Sequence, residues 1–327
     1  MNRRTYLEIT AAALAWTVHT GFAQGSNPPR IGWLWPGKSK PAPNEVKGFQ
    51  QGLRDLGYVE GQNILVDYRF GEGSVDRLDE FAAEFVRSRV DVVVLISGAA
   101  LIAMRNTGTK IPIVALTGDL VGDHFVESLA RPGGTITGIS FMQGSTGANL
   151  IAKRFQILKE TLPALTQVGF LFNPETGHNN LVEVERAAPM LGLVLHSSPV
   201  LHFEETKQAI VRLKREGVEV IDVDAAPPLI AYQRETVELA LEVQLPTSSE
   251  QPEFAEDGGL LSYGPSIFTA AQRQAQFVDR ILKGAKPAGL PVEQPAKFEL
   301  DINLKTAKAL RITIPESLLI QADKVIE

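Results

Sequence analysis

One strand pattern occurs twice in this chain. Arg30-Ile31-Gly32-Trp33-Leu34-Trp35-Pro36 and Gln167-Val168-Gly169-Phe170-Leu171-Phe172-Asn173-Pro174 both run branched apolar, glycine, aromatic, leucine, aromatic, then break at or next to a proline. An apolar run of this length, stopped by proline and succeeded by a helical pattern, predicts a strand buried on both faces of an open parallel sheet. The segments downstream of the two copies also keep step. The first copy leads to a helical segment ending Leu56-Gly57-Tyr58, a strand over 64–70, a helix over 75–88 and the strand from Val90. The second leads to a helical segment ending Leu191-Gly192-Leu193, a strand over 194–200, a helix over 203–216 and the strand from Val218. The offset drifts only from 137 residues (Ile31 to Val168) to 128 (Val90 to Val218). Each half then reaches an x-Pro strand, Ile111-Pro112-Ile113 and Leu245-Pro246-Thr247. The ordered series predicts an α/β protein of two similar Rossmann-like lobes.

The N-terminus stands apart from this pattern. Arg3 and Arg4 precede a mostly apolar stretch over 9–18, and Gly21-Phe22-Ala23 offers a small-x-small cleavage site before Gln24. Residues 1–23 therefore predict a secretory signal peptide, too short and too early for a membrane span. Asn2-Arg3-Arg4-Thr5-Tyr6-Leu7 is compatible with twin-arginine export, although Glu8 departs from that pattern. The chain has no cysteine. An exported protein of this kind has no disulfides and no lipidated cysteine, so the expectation is a soluble periplasmic monomer standing on its cores alone. Removing Arg3, Arg4 and Glu8 takes the formal charge from −6 to −7. An acidic balance argues against nucleic acid or anionic lipid as partner.

In lobe one, Val46, Phe49, Leu53 and Leu56 give a helix over 45–56 closed by Gly57, and Ser74 caps the helix at 75–88. A strand over 92–96 ends at Ser97-Gly98 before a helix over 99–106, and a strand over 111–116 ends at Thr117-Gly118-Asp119. A short helix over 124–129 and a strand over 135–140 complete the lobe. Glycine-rich 144–147, the glycine-flanked strand at 260–263 and the extended segment at 297–302 mark three crossovers between the lobes. The expected division is lobe one at 28–142 plus 265–290 and lobe two at 143–264 plus 291–327. A multi-strand hinge between two lobes implies a cleft.

In open α/β sheets ligands bind beyond the carboxyl ends of the strands. That rule selects Trp35, Pro36, Gly37, Ser97, Gly98, Ala99, Gly118, Asp119, Asn173, Asp224 and Glu250, with Ser140 and Tyr263 at the hinge. Helix N-termini after Ser97 and Asn173 suit a carboxylate. Asp119, Asp224 or Glu250 suits an ammonium group, and Trp35, Phe141 and Tyr263 could cover an apolar or aromatic side chain. Each residue also has a structural reading. Trp33 and Trp35 alternate on a buried strand and suit a core; Asp222, Asp224 and Glu250 suit caps; Ser262 and Tyr263 suit hinge packing. The histidines show no metal-ligand spacing, and no phosphate loop or nucleophile elbow is present, so no cofactor, metal or catalytic group is expected. A ligand sensor or an enzyme on the same two lobes is the alternative.

The sequence resembles the ABC transporter substrate-binding family of type I periplasmic binding proteins over nearly all of the expected mature chain. Four runs carry the resemblance: residues 49–61 (FQQGLRDLGYVEG), 129–134 (LARPGG), 261–265 (LSYGP), and 290–295 (LPVEQP) leading to 303–310 (NLKTAKAL). The resemblance implies closure of two lobes on a small solute and delivery to ABC permease subunits of the inner membrane. Some relatives are associated with aromatic amino acids. Where that family usually shows a Gly-Gly-Thr-Pro-like turn this chain has Ser97-Gly98-Ala99-Ala100, and where it shows Gly-Asp-Pro this chain has Gly118-Asp119-Leu120. The resemblance therefore leaves the solute open.

Overall fold

The computed structural model describes residues 27–327 except 40–42, 142–144, 177 and 296, and omits the side chains of 145–149, 178 and 179. The expected leader and its cleavage site lie outside the described residues.

The sequence repeat is a repeat of topology. Strands β1 (Arg30–Trp35), β2 (Leu65–Phe70), β3 (Val92–Ile96), β4 (Ile113–Thr117) and β5 (Ile136–Ser140) form a wholly parallel sheet in the order β2-β1-β3-β4-β5. The second sheet begins likewise, with β6 (Gln167–Phe172), β7 (Val194–Pro199), β8 (Val220–Val223), β9 (Thr247–Ser249) and β10 (Leu261–Pro265) in the order β7-β6-β8-β9-β10. Two more strands extend it: β11 (Phe298–Asn303), antiparallel to β10, and β12 (Lys324–Ile326). Both copies of the repeated motif are central strands, β1 and β6, and hydrogen-bond on both sides. That position explains why every second residue could not be polar.

Helices cover both faces of each sheet. In the first lobe α1 (Asn44–Asp55) lies on one face, and α2 (Val75–Ser88) and α3 (Gly98–Asn106) on the other. The second lobe is covered by α4 (Ser145–Thr161), α5 (His178–Met190), α6 (Thr206–Arg215), α7 (Gln233–Glu242), the short α8 (Glu253–Glu256), and, near the C-terminus, α10 (Leu304–Ala309) and α11 (Glu316–Gln321). α9 (Ile267–Leu282) leaves β10 and returns to the first sheet. There the buried Gln274 donates to the carbonyls of Leu95 (3.0 Å) and Val114 (3.1 Å). Glu293 then exchanges backbone hydrogen bonds with Gly138 and Ser140 of β5 before the chain enters β11.

The contact between α1 and α9 depends on two glycines one turn apart. A Cβ on Gly48 would fall 2.3 Å from the Phe268 carbonyl oxygen, and one on Gly52 would fall 2.5 Å from that of Gln272. Ala271 and Ala275 face them. Gly52→Ala is therefore expected to cost about 1–3 kcal/mol by forcing the helices apart. A urea midpoint within error of the parent would refute this account of the packing.

One predicted element is absent. Residues 124–129 form a turn and bends, not a helix. His124 adopts a left-handed backbone (φ 57°), and the Asp119 carboxylate accepts from the N–H groups of Val121 (3.1 Å) and Gly122 (2.8 Å). Side-chain capping of this kind competes with helical hydrogen bonding.

Candidate functional site

The carboxyl ends of the two sheets face each other across a cavity of about 100 Å³. Its wall from the first lobe is built by loops at the ends of β3 and β4. Ser97 follows β3 with φ 97° and ψ 152°, a conformation that costs a non-glycine residue on the order of 1–3 kcal/mol. Its hydroxyl accepts from Ala100 N–H (3.3 Å), which starts α3. The N–H groups of Gly98 and Ala99 then have no acceptor within the helix and lie at its positive end. Gly98 carries no side chain to block them.

After β4, the Gly118-Asp119-Leu120 loop is fastened by Ser140 at the end of β5. The Ser140 hydroxyl donates to Gly118 O (2.7 Å) and accepts from Leu120 N–H (3.2 Å). Asp119 lines the cavity while one of its oxygens caps the next turn, and Asp123 joins it there. Burial, and then the Asp119 charge, push the Asp123 carboxyl up to about 6.

The opposite wall is assembled from four strand ends and two helices. Arg154 on α4 is nearly inaccessible and holds Asp222 of β8 in a two-point ion pair, Nε to Oδ1 at 2.8 Å and Nη2 to Oδ2 at 2.6 Å. The Ser248 hydroxyl also donates to Asp222 (2.7 Å). Two residues on, Asp224 accepts from Asn180 of α5 (2.6 Å), while its other oxygen is buried without a partner among the described residues. Burial, then the neighbouring Glu250, raises Asp224 to about 8. Glu250 is itself raised, mainly by burial and against the pull of Arg154. Asn173 works behind the wall: it donates to Pro227 O (2.6 Å) and accepts from the N–H groups of Glu175 and Thr176. Phe141, Ile230 and Tyr263 supply apolar surface.

Of the residues selected from sequence, the structure brings Ser97, Gly98, Ala99, Gly118, Asp119, Glu250 and Tyr263 to this cavity. Ser140 and Asn173 brace its loops, and Asp224 lies immediately behind Asn180 and Ala225. Trp35 borders a second, larger cavity between the lobes and packs among Trp33, Phe70 and the first core; Pro36 and Gly37 line neither. Sequence reasoning missed Asp123, Arg154, Asn180, Ile230 and Gln251. Arg154 did leave a signal, because it sits in the apolar stripe of Ile151, Phe155 and Leu158. The others depend on loop paths that carry no periodicity.

The cavity is lined both by carboxyl groups, from the two lobes, and by the N-terminus of α3. Among its described lining residues the cation is Arg154, which is committed to Asp222, while the carboxyl groups are those of Asp119, Asp123 and Glu250. Such a combination suits a zwitterion. No group of three or more His, Cys, Asp or Glu suited to a metal ion occurs among the described residues, and no helix among them is long and apolar enough to cross a membrane.

The chain resembles known proteins over most of its length. A family model described as ABC transporter substrate binding protein matches residues 39–326. A tyrosine-binding protein of Clostridioides difficile is 25% identical over 269 residues, covering 81% of this chain and 75% of that protein. The solved structure of an ABC domain from Streptococcus pneumonia in complex with L-Trp superposes with a TM-score of 0.82 at 25% identity, over 92% of this chain and all of that one. The ligand-free, open structure of a substrate-binding protein with adhesive properties from Clostridium difficile gives a TM-score of 0.62 at 20% identity, over 91% and 99% of the two chains.

Proposed function

The chain belongs to the ABC transporter substrate-binding protein family, and from that premise we propose that its two lobes close on an amino acid in the acid-lined cavity. In this reading the ammonium group meets Asp119 and Asp123 from one lobe and Glu250 from the other. The α-carboxylate takes the N–H groups of Gly98 and Ala99 beside Ser97. Phe141, Ile230 and Tyr263 surround the side chain. The observation that carries this reading is the presence of a cluster of carboxyl groups and a helix N-terminus in one interlobe cavity. The names of the relatives, one binding tyrosine and one in complex with L-Trp, support an aromatic member of the class. Delivery would be to ABC permease subunits of the inner membrane, from a leader-exported periplasmic monomer, and the solute would be released unchanged.

A trimmed-ligand series tests the proposal. Calorimetry should show one-to-one binding of a free amino acid from a panel that includes tyrosine, tryptophan and phenylalanine. The matching amine without the carboxylate, and the matching acid without the amine, should each bind at least tenfold more weakly. Equal affinity for the amine-free acid would remove the acidic wall from the site. Conversion of the bound compound, seen by mass spectrometry of the recovered solute, would favour the enzyme alternative.

A further inference from the structure

A second cavity between the lobes, of about 350 Å³, shares Ile230 and Gln251 with the first. Trp35, Lys38, Asn44, Glu45 and Lys47 border it from the first lobe, and residues of α7 and α8 from the second. Most of its charges are paired. Lys38 bridges the lobes to Glu235 at 2.6 Å, Arg234 binds Asp257 at 2.8 Å, and Glu256 binds Lys324 at 2.6 Å. Lys47 reaches Asn44, at 3.3 Å. Among the described residues two carboxyl groups stand outside these ion pairs, Glu45 in the first turn of α1 and Glu253 in the first turn of α8. Glu45 is 2% exposed, and one oxygen of Glu253 is buried without a partner there. The Asn44 side chain acts on Glu253 across the lobe boundary and partly favours its ionised form.

Two like charges on opposite lobes, Glu45 buried and Glu253 half-buried with one oxygen sealed from water, cannot both remain ionised at low cost. They line one cavity only because the lobes meet: Ile230, from the turn Leu229–Tyr232, joins the first-lobe core that contains Trp35. If the lobes part, both groups return to water. We propose that Glu45 and Glu253 form a proton-held clasp, so that closure takes up a proton and the closed form weakens as pH rises. The proposal rests on the two-lobed receptor reading for closure itself and is independent of which solute binds.

The sign is set by the groups facing the pair. Burial, and then the Glu253 charge, raise Glu45 to about 8, and Lys47 only partly opposes this. Burial raises Glu253 in the same direction. In the open form both should titrate in the ordinary carboxylate range, near about 4.3. Between that range and about pH 8, closing binds a proton, so the closing equilibrium falls by up to tenfold per pH unit as pH rises. Above about 8 it levels off.

The chain has no cysteine, so one pair of labels can be placed without background. Spin labels at Glu80→Cys and Lys308→Cys, one exposed position per lobe, report the interlobe distance in ligand-free protein. The ratio of closed to open protein should drop at least tenfold from pH 6 to pH 8. In Glu45→Gln, which mimics the protonated acid, the residual drop should be at least tenfold smaller than in the parent, and the closed form should persist at pH 8. Asp123 and Asp224 also titrate near this range. The difference between parent and variant is therefore the measured quantity. Glu253→Gln should behave the same way and carries the test if Glu45→Gln folds poorly. A parent slope retained in both variants, or a closed fraction insensitive to pH, overturns the clasp. Calorimetry with the amino-acid panel at pH 6 checks the receptor reading separately.

Discussion

Asp222→Ala is expected to lower stability by about 3–5 kcal/mol, because removing one partner of a buried ion pair strands the other charge. For a lobe of this size that corresponds to a melting temperature lower by roughly 10 °C. The pair is nearly sealed from solvent, bound at two points, and completed by the Ser248 hydroxyl. Its net worth is a different matter, since apolar replacements of similar volume often do as well as a buried pair. The double variant Arg154→Met/Asp222→Leu should therefore recover most of the loss. Thermal unfolding of the three proteins decides the point; a single variant within about 1 kcal/mol of the parent would mean that water reaches Arg154. Solute binding should fail in Asp222→Ala even below its melting temperature. The freed guanidinium would turn toward Glu250 and Asp224 and cancel the charge that draws an ammonium group.

Asp119→Asn should weaken binding of an amino acid roughly ten- to a hundredfold, the value of one charge-assisted contact of about 1.5–3 kcal/mol. The substitution separates binding from scaffold. Asp119 caps its own turn through one oxygen, to Val121 and Gly122, and the asparagine carbonyl oxygen can accept both bonds. Stability should then stay within about 1 kcal/mol of the parent, as for a surface turn with its cap intact. Normal affinity with a lowered melting temperature would leave Asp119 a turn cap alone. Asp224 adds a pH dependence. With its carboxyl raised to about 8, it is protonated in the empty site at neutral pH, whereas a cationic group nearby favours the ionised form. Binding then releases a proton, so affinity rises with pH up to about 8, by at most tenfold per unit. This slope is opposite in sign to that of the Glu45–Glu253 clasp, and Asp224→Asn should flatten it. The same raised value means that this group's contribution to folding stability, full below the ordinary aspartate range, is lost as pH rises toward 8.

The two lobes could be read from sequence because burial on both faces imposes composition locally. A strand such as Ile31-Gly32-Trp33-Leu34 has no position where a polar side chain would find water, so its identity shows in any short window. Positions beyond strand ends were legible for the same reason: the apolar run stops, and Ser97, Asp119 and Glu250 stand at the stops. The turn and bends at 124–129 were misread because the decision there lay in the Asp119 cap and the left-handed His124, and neither alters hydrophobic period. What the chain order could not contain was pairing across distance. Arg154 finds Asp222 only once α4 lies across β8, Ile230 joins the core around Trp35 only once two lobes come together, and Glu45 and Glu253 line one cavity only at that same boundary. The sequence by itself determined which residues had to be buried and where each strand ended, since those are properties of neighbours along the chain. Tertiary structure alone decided which charges are compensated, because the energy of a buried carboxylate depends on what stands within a few ångströms of it in space.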